Sequence, residues 1–169
     1  GGYIKVQPEA ANPDIKALLL VFSTEDVGGV PHKFDGITVN VALMRPESRG
    51  YVKAIDSHIS TMPIIQPNSL EAKADRDTLE AGMNEIRRII KQPALSDNIL
   101  TEYSHNDVVQ SYDDCLNFIC KRARTSYHPG GTCKIGRDKM SVVDERLRAR
   151  KLFGVRVIDA SIMPTITSG

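Results

Sequence analysis

The chain has 169 residues, with 22 Lys and Arg against 21 Asp and Glu, a net charge of +1 and 41% hydrophobic content. This length suits one domain with a sizeable core, the balanced charge excludes a chain-wide field drawing the protein onto nucleic acid or an anionic membrane, and no apolar run approaches a membrane-spanning length. Three cysteines without paired spacing argue against a disulfide framework and for a reducing compartment.

Tyr3 to Gln7 reads as a strand. Leu18 to Phe22 is a continuous apolar run short enough to be a strand buried on both faces, ended by Gly28-Gly29. Ile37, Val39, Val41 and Leu43 alternate with Thr38, Asn40, Ala42 and Met44, the period of a half-buried strand. Beyond the Pro46 turn, Tyr51 to Asp56 is expected to pair antiparallel with Ile37–Met44.

Leu79, Met83, Ile86 and Ile90 recur at helical spacing and predict a helix over roughly Ala72 to Lys91. Asp75 and Asp77 lie early, Arg87, Arg88 and Lys91 late, and Pro93 follows, as the helix dipole and its stop signal require. A second helix is expected from Ser111, with Asp114 completing a capping box and Tyr112, Leu116, Ile119, Cys120 and Ala123 as its buried stripe. Strands followed by helices predict an α+β fold, an antiparallel β-sheet covered by helices on one face.

The chemistry concentrates in Ser126-Tyr127-His128-Pro129-Gly130-Gly131-Thr132-Cys133 and in Val155-Arg156-Val157-Ile158-Asp159-Ala160-Ser161-Ile162-Met163-Pro164-Thr165. Pro129 biases His128 toward extended backbone, and the glycines after it allow another backbone or a flat ligand to approach. An imidazole with an ordinary pKa of about 6.5 can accept a proton near neutral pH. Asp159 by itself reads as the cap of a strand end. Cys133, five residues from His128, raises a Cys–His nucleophile as a competing idea. Cys115 and Cys120 lack companion ligands, so no metal site is expected. His32, His58 and His105 sit in polar surroundings that predict exposed side chains. The basic runs Lys121–Arg124 and Arg146, Arg148, Arg150, Lys151 lack interleaved aromatics, so solvated faces are expected and no nucleic-acid partner.

The two segments together resemble the C-terminal signature of the glucose-methanol-choline (GMC) family of FAD-dependent oxidoreductases, its choline dehydrogenase-like alcohol dehydrogenases in particular. Arg45 to Gly50, Gln66-Pro67-Asn68 and Val142-Val143-Asp144 extend the resemblance, which runs from about Arg45 to Gly169. Gly130 departs from the family, which often carries a larger residue there. The resemblance implies that His128 takes the hydroxyl proton of a small-molecule alcohol, choline among the candidates, as hydride passes to FAD and an aldehyde forms. It implies that Asp159 and Ala160 lie against the flavin nucleotide.

No Gly-x-Gly-x-x-Gly opens a βαβ unit in this chain, and the family's second polar partner of the histidine follows the point where the sequence stops. The expectation is therefore a C-terminal fragment of a larger enzyme. Residues 1–136 would form the substrate-binding domain carrying the catalytic His, and 137–169 a tail returning to a missing N-terminal FAD-binding domain. The fragment alone would be inactive and would not retain FAD. Its tail strand, left without a sheet, would be mobile or would recruit another copy. The expected compartment is the cytoplasm, with attachment of the parent to the inner face of a membrane left open. A non-catalytic sheet module for protein binding or oligomerisation is the alternative, although such a module has no use for the paired motifs.

Overall fold

The computed structural model describes residues 1–25, 28–103 and 111–167. They form two compact units that interleave along the chain: residues 1–46 with 72–124, and 47–71 with 125–169. The boundary expected at 136 coincides with the edge of neither unit.

The first unit holds a three-stranded antiparallel sheet in the order β1 (Gly2–Ile4), β2 (Ile15–Leu20), β3 (Thr38–Leu43). β1 stops short of the expected Gln7 because the Asp14 carboxylate takes the Val6 and Gln7 N–H groups, at 2.8 and 2.9 Å, out of the ladder. Asp14 also accepts from Met44 N–H and donates its own N–H to the Ile4 carbonyl, so one buried residue ties the three strands at this end. The apolar run at 18–22 is not the core of β2. The strand begins earlier, Ile15 and Ala17 are buried, and Leu18, Leu19, Val21 and Phe22 are exposed. Leu18 and Leu19 lie on opposite faces, so this end of the strand is exposed on both, and the buried pair lies where a helix covers the sheet.

That helix is α1 (Lys73–Ile90), which packs on β2 and β3. Leu79, Met83, Ile86 and Ile90 are half-buried, and its most deeply placed residues are Asp75 and Gly82. Gly82 lies where a Cβ would stand 2.9 Å from Val41 Cγ1 and 3.0 Å from Ile15 Cδ1, so the missing side chain sets the helix–sheet distance. Pro93 opens a short helix, α2 (Pro93–Ser96), in the N1 position that tolerates its missing N–H. α3 (Tyr112–Arg122) packs on α1 and starts with the capping box as expected, Ser111 and Asp114 satisfying one another's backbone N–H groups. Its buried residues are Cys115 and Ile119, whereas Tyr112, Cys120 and Ala123 of the expected stripe are exposed.

In the second unit β4 (Tyr51–Lys53) pairs antiparallel with β5 (Ile64–Gln66), not with β3, as the Pro46 turn had suggested. Thr38–Leu43 is hydrogen-bonded along its length to β2 instead. β4 ends before Asp56 because that carboxylate accepts from His58 N–H and Thr61 Oγ1 and folds the chain back. Among the described residues no helix is long and apolar enough to cross a membrane.

Candidate functional site

Both motif segments lie in the second unit and are tied together. Cys133 N–H donates to the Ser161 carbonyl at 2.9 Å and Ile135 N–H to the Ile162 carbonyl at 2.8 Å. Ahead of these bonds the Gly130–Gly131 backbone lies against the turn at 160–163. A Cβ on Gly130 would stand 3.0 Å from the Ala160 carbonyl oxygen, and one on Gly131 3.3 Å from that of Met163. Gly131 also adopts φ +90°, which side chains resist. The glycines after His128 therefore serve the approach of a neighbouring backbone, one of the two uses their freedom allows.

His128 sits on the exposed loop leading into this contact. The strained residue beside it is Tyr127, at φ 59°, its N–H accepted by Thr125 Oγ1 at 3.0 Å. A left-handed backbone at a non-glycine residue costs on the order of 1–3 kcal/mol and collects at functional loops. Nothing in the residue types at 125–127 signals it.

Asp159 caps a 3-10 turn, Ala160–Ile162, its carboxylate accepting from Ser161 N–H at 2.8 Å. Hydrogen bonding from Ser161 holds its pKa below the ordinary carboxylate value, so Asp159 is an exposed, ionised acceptor. What Asp159 caps is this turn and not the end of a strand. Residues 155–157 are not left without partners: Ala149 N–H donates to the Val155 carbonyl at 3.0 Å, and Val157 N–H donates to the Leu147 carbonyl at 3.1 Å. One side of this segment thus pairs with 147–149 within the chain.

The remaining candidates lie elsewhere. His32, expected to be exposed, is half-buried in the first unit, stacked on Phe34 with centroids 4.9 Å apart and held by Ser23 Oγ at 2.8 Å from Nδ1. His58 is exposed, and His105 lies outside the described residues. Cys115 is buried, Cys120 exposed and Cys133 intermediate, and burial pushes the Cys115 thiol pKa up. Among the described residues no three His, Cys, Asp or Glu gather as a metal site would need. A cavity of about 410 Å³ in the second unit is lined by Ile135, Gly136, Arg137, Asp144, Glu145 and Arg150. Its walls include neither His128 nor Asp159.

Residues 46–169 match the family described as GMC oxidoreductase. Over its full length the chain is 35% identical to an alcohol dehydrogenase [acceptor] of Pseudomonas putida, covering 31% of that protein. It is 34% identical to the mitochondrial choline dehydrogenase of Homo sapiens, covering 29% of it. Among solved structures, pyridoxine 4-oxidase from Mesorbium loti superposes with a TM-score of 0.80 at 27% identity, over 99% of this chain and 33% of that one. A formate oxidase superposes with a TM-score of 0.80 at 23% identity, over 92% of this chain and 28% of that one, a likeness of fold. The chain spans about a third of the length of these relatives.

Proposed function

Since this chain belongs to the GMC oxidoreductase family, we propose that it is the substrate-binding and catalytic-base portion of an FAD-dependent enzyme that oxidises a small alcohol, choline among the candidates, to an aldehyde. The observation that carries this reading is the tie between the two motif segments: the loop bearing His128 and the turn bearing Asp159 and Ala160 are fixed to one another by backbone hydrogen bonds. A binding module has no need to hold an exposed imidazole and an ionised carboxylate on one rigid loop pair.

The residues fit a flat, hydroxyl-bearing cofactor. Asp159 is an exposed anionic acceptor for hydroxyl groups, and Ala160 beside it is small and exposed. FAD, when bound, supplies the hydride acceptor. His128 accepts the hydroxyl proton at an imidazole nitrogen as the hydride leaves the carbinol carbon, so the aldehyde forms without an unstabilised alkoxide. The bonds at 133 and 135 tie the segment that follows His128 to the turn at 160–162. In this reading 1–136 supplies the substrate-binding portion and 137–169 returns to an FAD-binding domain.

Replacing His128 by Ala in the flavin-containing enzyme is expected to slow flavin reduction by an alcohol roughly 10²–10⁴-fold, the usual contribution of a general base, with bound flavin unchanged. Stopped-flow absorbance reads the first and the flavin-to-protein ratio the second. An equal loss of flavin would make His128 structural and sink the proposal.

A further inference from the structure

The segment that carries His128 is held unequally at its two ends. Downstream, the Cys133 and Ile135 N–H groups bond the carbonyls of Ser161 and Ile162, and Pro129 disfavours helical backbone at His128 itself. Upstream, where the chain re-enters the second unit at Thr125, one hydrogen bond is made within 125–130 among the described residues: Tyr127 N–H donates to Thr125 Oγ1 at 3.0 Å. A hydroxyl accepting from the N–H two residues on closes a local turn.

This turn closes over a residue in a disfavoured conformation. Tyr127 stands at φ 59°, where a Cβ crowds the carbonyl oxygen that follows it. Asn68 and Leu147 enter the same region, but backbone bonds hold each of them there. Glu71 N–H donates to the Asn68 carbonyl, Leu147 N–H to the Asp144 carbonyl, and Val157 N–H to the Leu147 carbonyl. At Tyr127 a side-chain oxygen takes that part. Strain of this kind persists only where the surroundings over-determine it, so the Thr125 hydroxyl decides whether the left-handed turn survives. The consequence falls on the next residue, because φ at Tyr127 sets the direction in which the chain leaves toward His128. Without the bond, Tyr127 relaxes to the extended or right-handed regions open to any side chain, and the imidazole is carried elsewhere while the bonds at 133 and 135 stay closed.

We propose that Thr125 is a positioning residue for the proton transfer: its hydroxyl oxygen holds Tyr127 left-handed and so fixes where the His128 imidazole stands. This role rests on His128 being the base, as proposed above, and adds what aims it. Misplacing a reacting group by about 1 Å can slow a reaction roughly 100-fold, so one hydrogen bond at a turn before the base is enough to matter.

The experiment is the rate of flavin reduction per bound flavin at saturating alcohol, followed by stopped-flow absorbance in the flavin-containing enzyme. Thr125→Val keeps the shape and removes the acceptor, and is expected to slow reduction about 10- to 100-fold with the apparent affinity for the alcohol nearly unchanged. Thr125→Ala gives a second route to the same loss, and Thr125→Ser, which keeps the oxygen, should recover most of the rate. The Val substitution is then repeated in two backgrounds. Beside Tyr127→Gly, which enters the left-handed region without steric cost, it should slow reduction far less than in the parent, and beside His128→Ala it should cause no further loss. A lower flavin content with an unchanged rate per flavin overturns the proposal, since the hydroxyl would then serve folding alone. An equal loss with and without Tyr127→Gly also overturns it, and leaves His128 as the base. Reduction that is not slowed by His128→Ala overturns both readings together, so the two failures are told apart.

Discussion

Asp138 and Asp144 each collect several donors in the second unit. Asp138 accepts from Lys134 Nζ, Met140 N–H and Ser141 Oγ, and Asp144 from the Arg148 side chain and the N–H groups of Arg146 and Arg148. Lys134 first, then Met140 and Ser141, bring Asp138 from 3.8 to about 2, and Arg148 first does the same for Asp144. Both folded values lie below the ordinary one, so the stabilisation is fully present above the ordinary value and is lost as pH falls from about 4 through 2. Acidification across that window is expected to raise amide exchange in 138–150, and Asp138→Asn with Asp144→Asn should flatten that response. An unchanged acid profile in the double variant would remove these two groups from the acid response. Neither role was legible in the sequence, because Asp-x-x-Ser and Asp-x-x-x-Arg spacings are common and only the turn geometry makes them converge. His32 was missed for a related reason: Tyr103, a ring against it at 5.1 Å, is remote in sequence.

At the scale of elements, Gly82 sets two effects against each other. Gly82→Ala gains about 1 kcal/mol of helix propensity, yet its Cβ would press on Val41 and Ile15 at 2.9 and 3.0 Å, and overpacking a core costs typically about 1–3 kcal/mol. Packing wins, and a lower thermal midpoint is expected by calorimetry; a raised midpoint would show that α1 can lift from the sheet at no cost. The two long helices were legible because amphipathic period and capping are local properties, written at 79, 83, 86 and 90 and at 111 and 114. Strand partners are not local. The run at 37–44 has the correct period, but nothing in it distinguishes β2 from β4 as its neighbour, and the Pro46 turn favoured the wrong one. In the candidate site His128, Asp159 and Ala160 stood out by their motifs, while the bonds at 133 and 135 that join them did not.

For the whole molecule, the share of its relatives that the chain spans bears on colour. With about a third of their length and no Gly-x-Gly-x-x-Gly turn in its sequence to hold a pyrophosphate, the purified chain is expected to show no flavin absorption band and no alcohol-dependent dye reduction. A yellow preparation would place the nucleotide-binding elements within these residues.

The interleaving of the two units also imposes an order on biosynthesis. Residues 47–71 leave the ribosome before 72–124, and their companions at 125–169 come only after that. At about 5–20 residues per second the wait is roughly 3–10 s. Through that interval the β4–β5 ribbon, carrying Tyr51, Val52, Ile64 and Ile65, has no unit to join, and even in the finished chain these side chains stay more than 40% exposed. A two-stranded ribbon is marginal alone. The nascent chain therefore spends seconds with an apolar, edge-bearing hairpin in solution, the interval in which a holding chaperone would most affect yield.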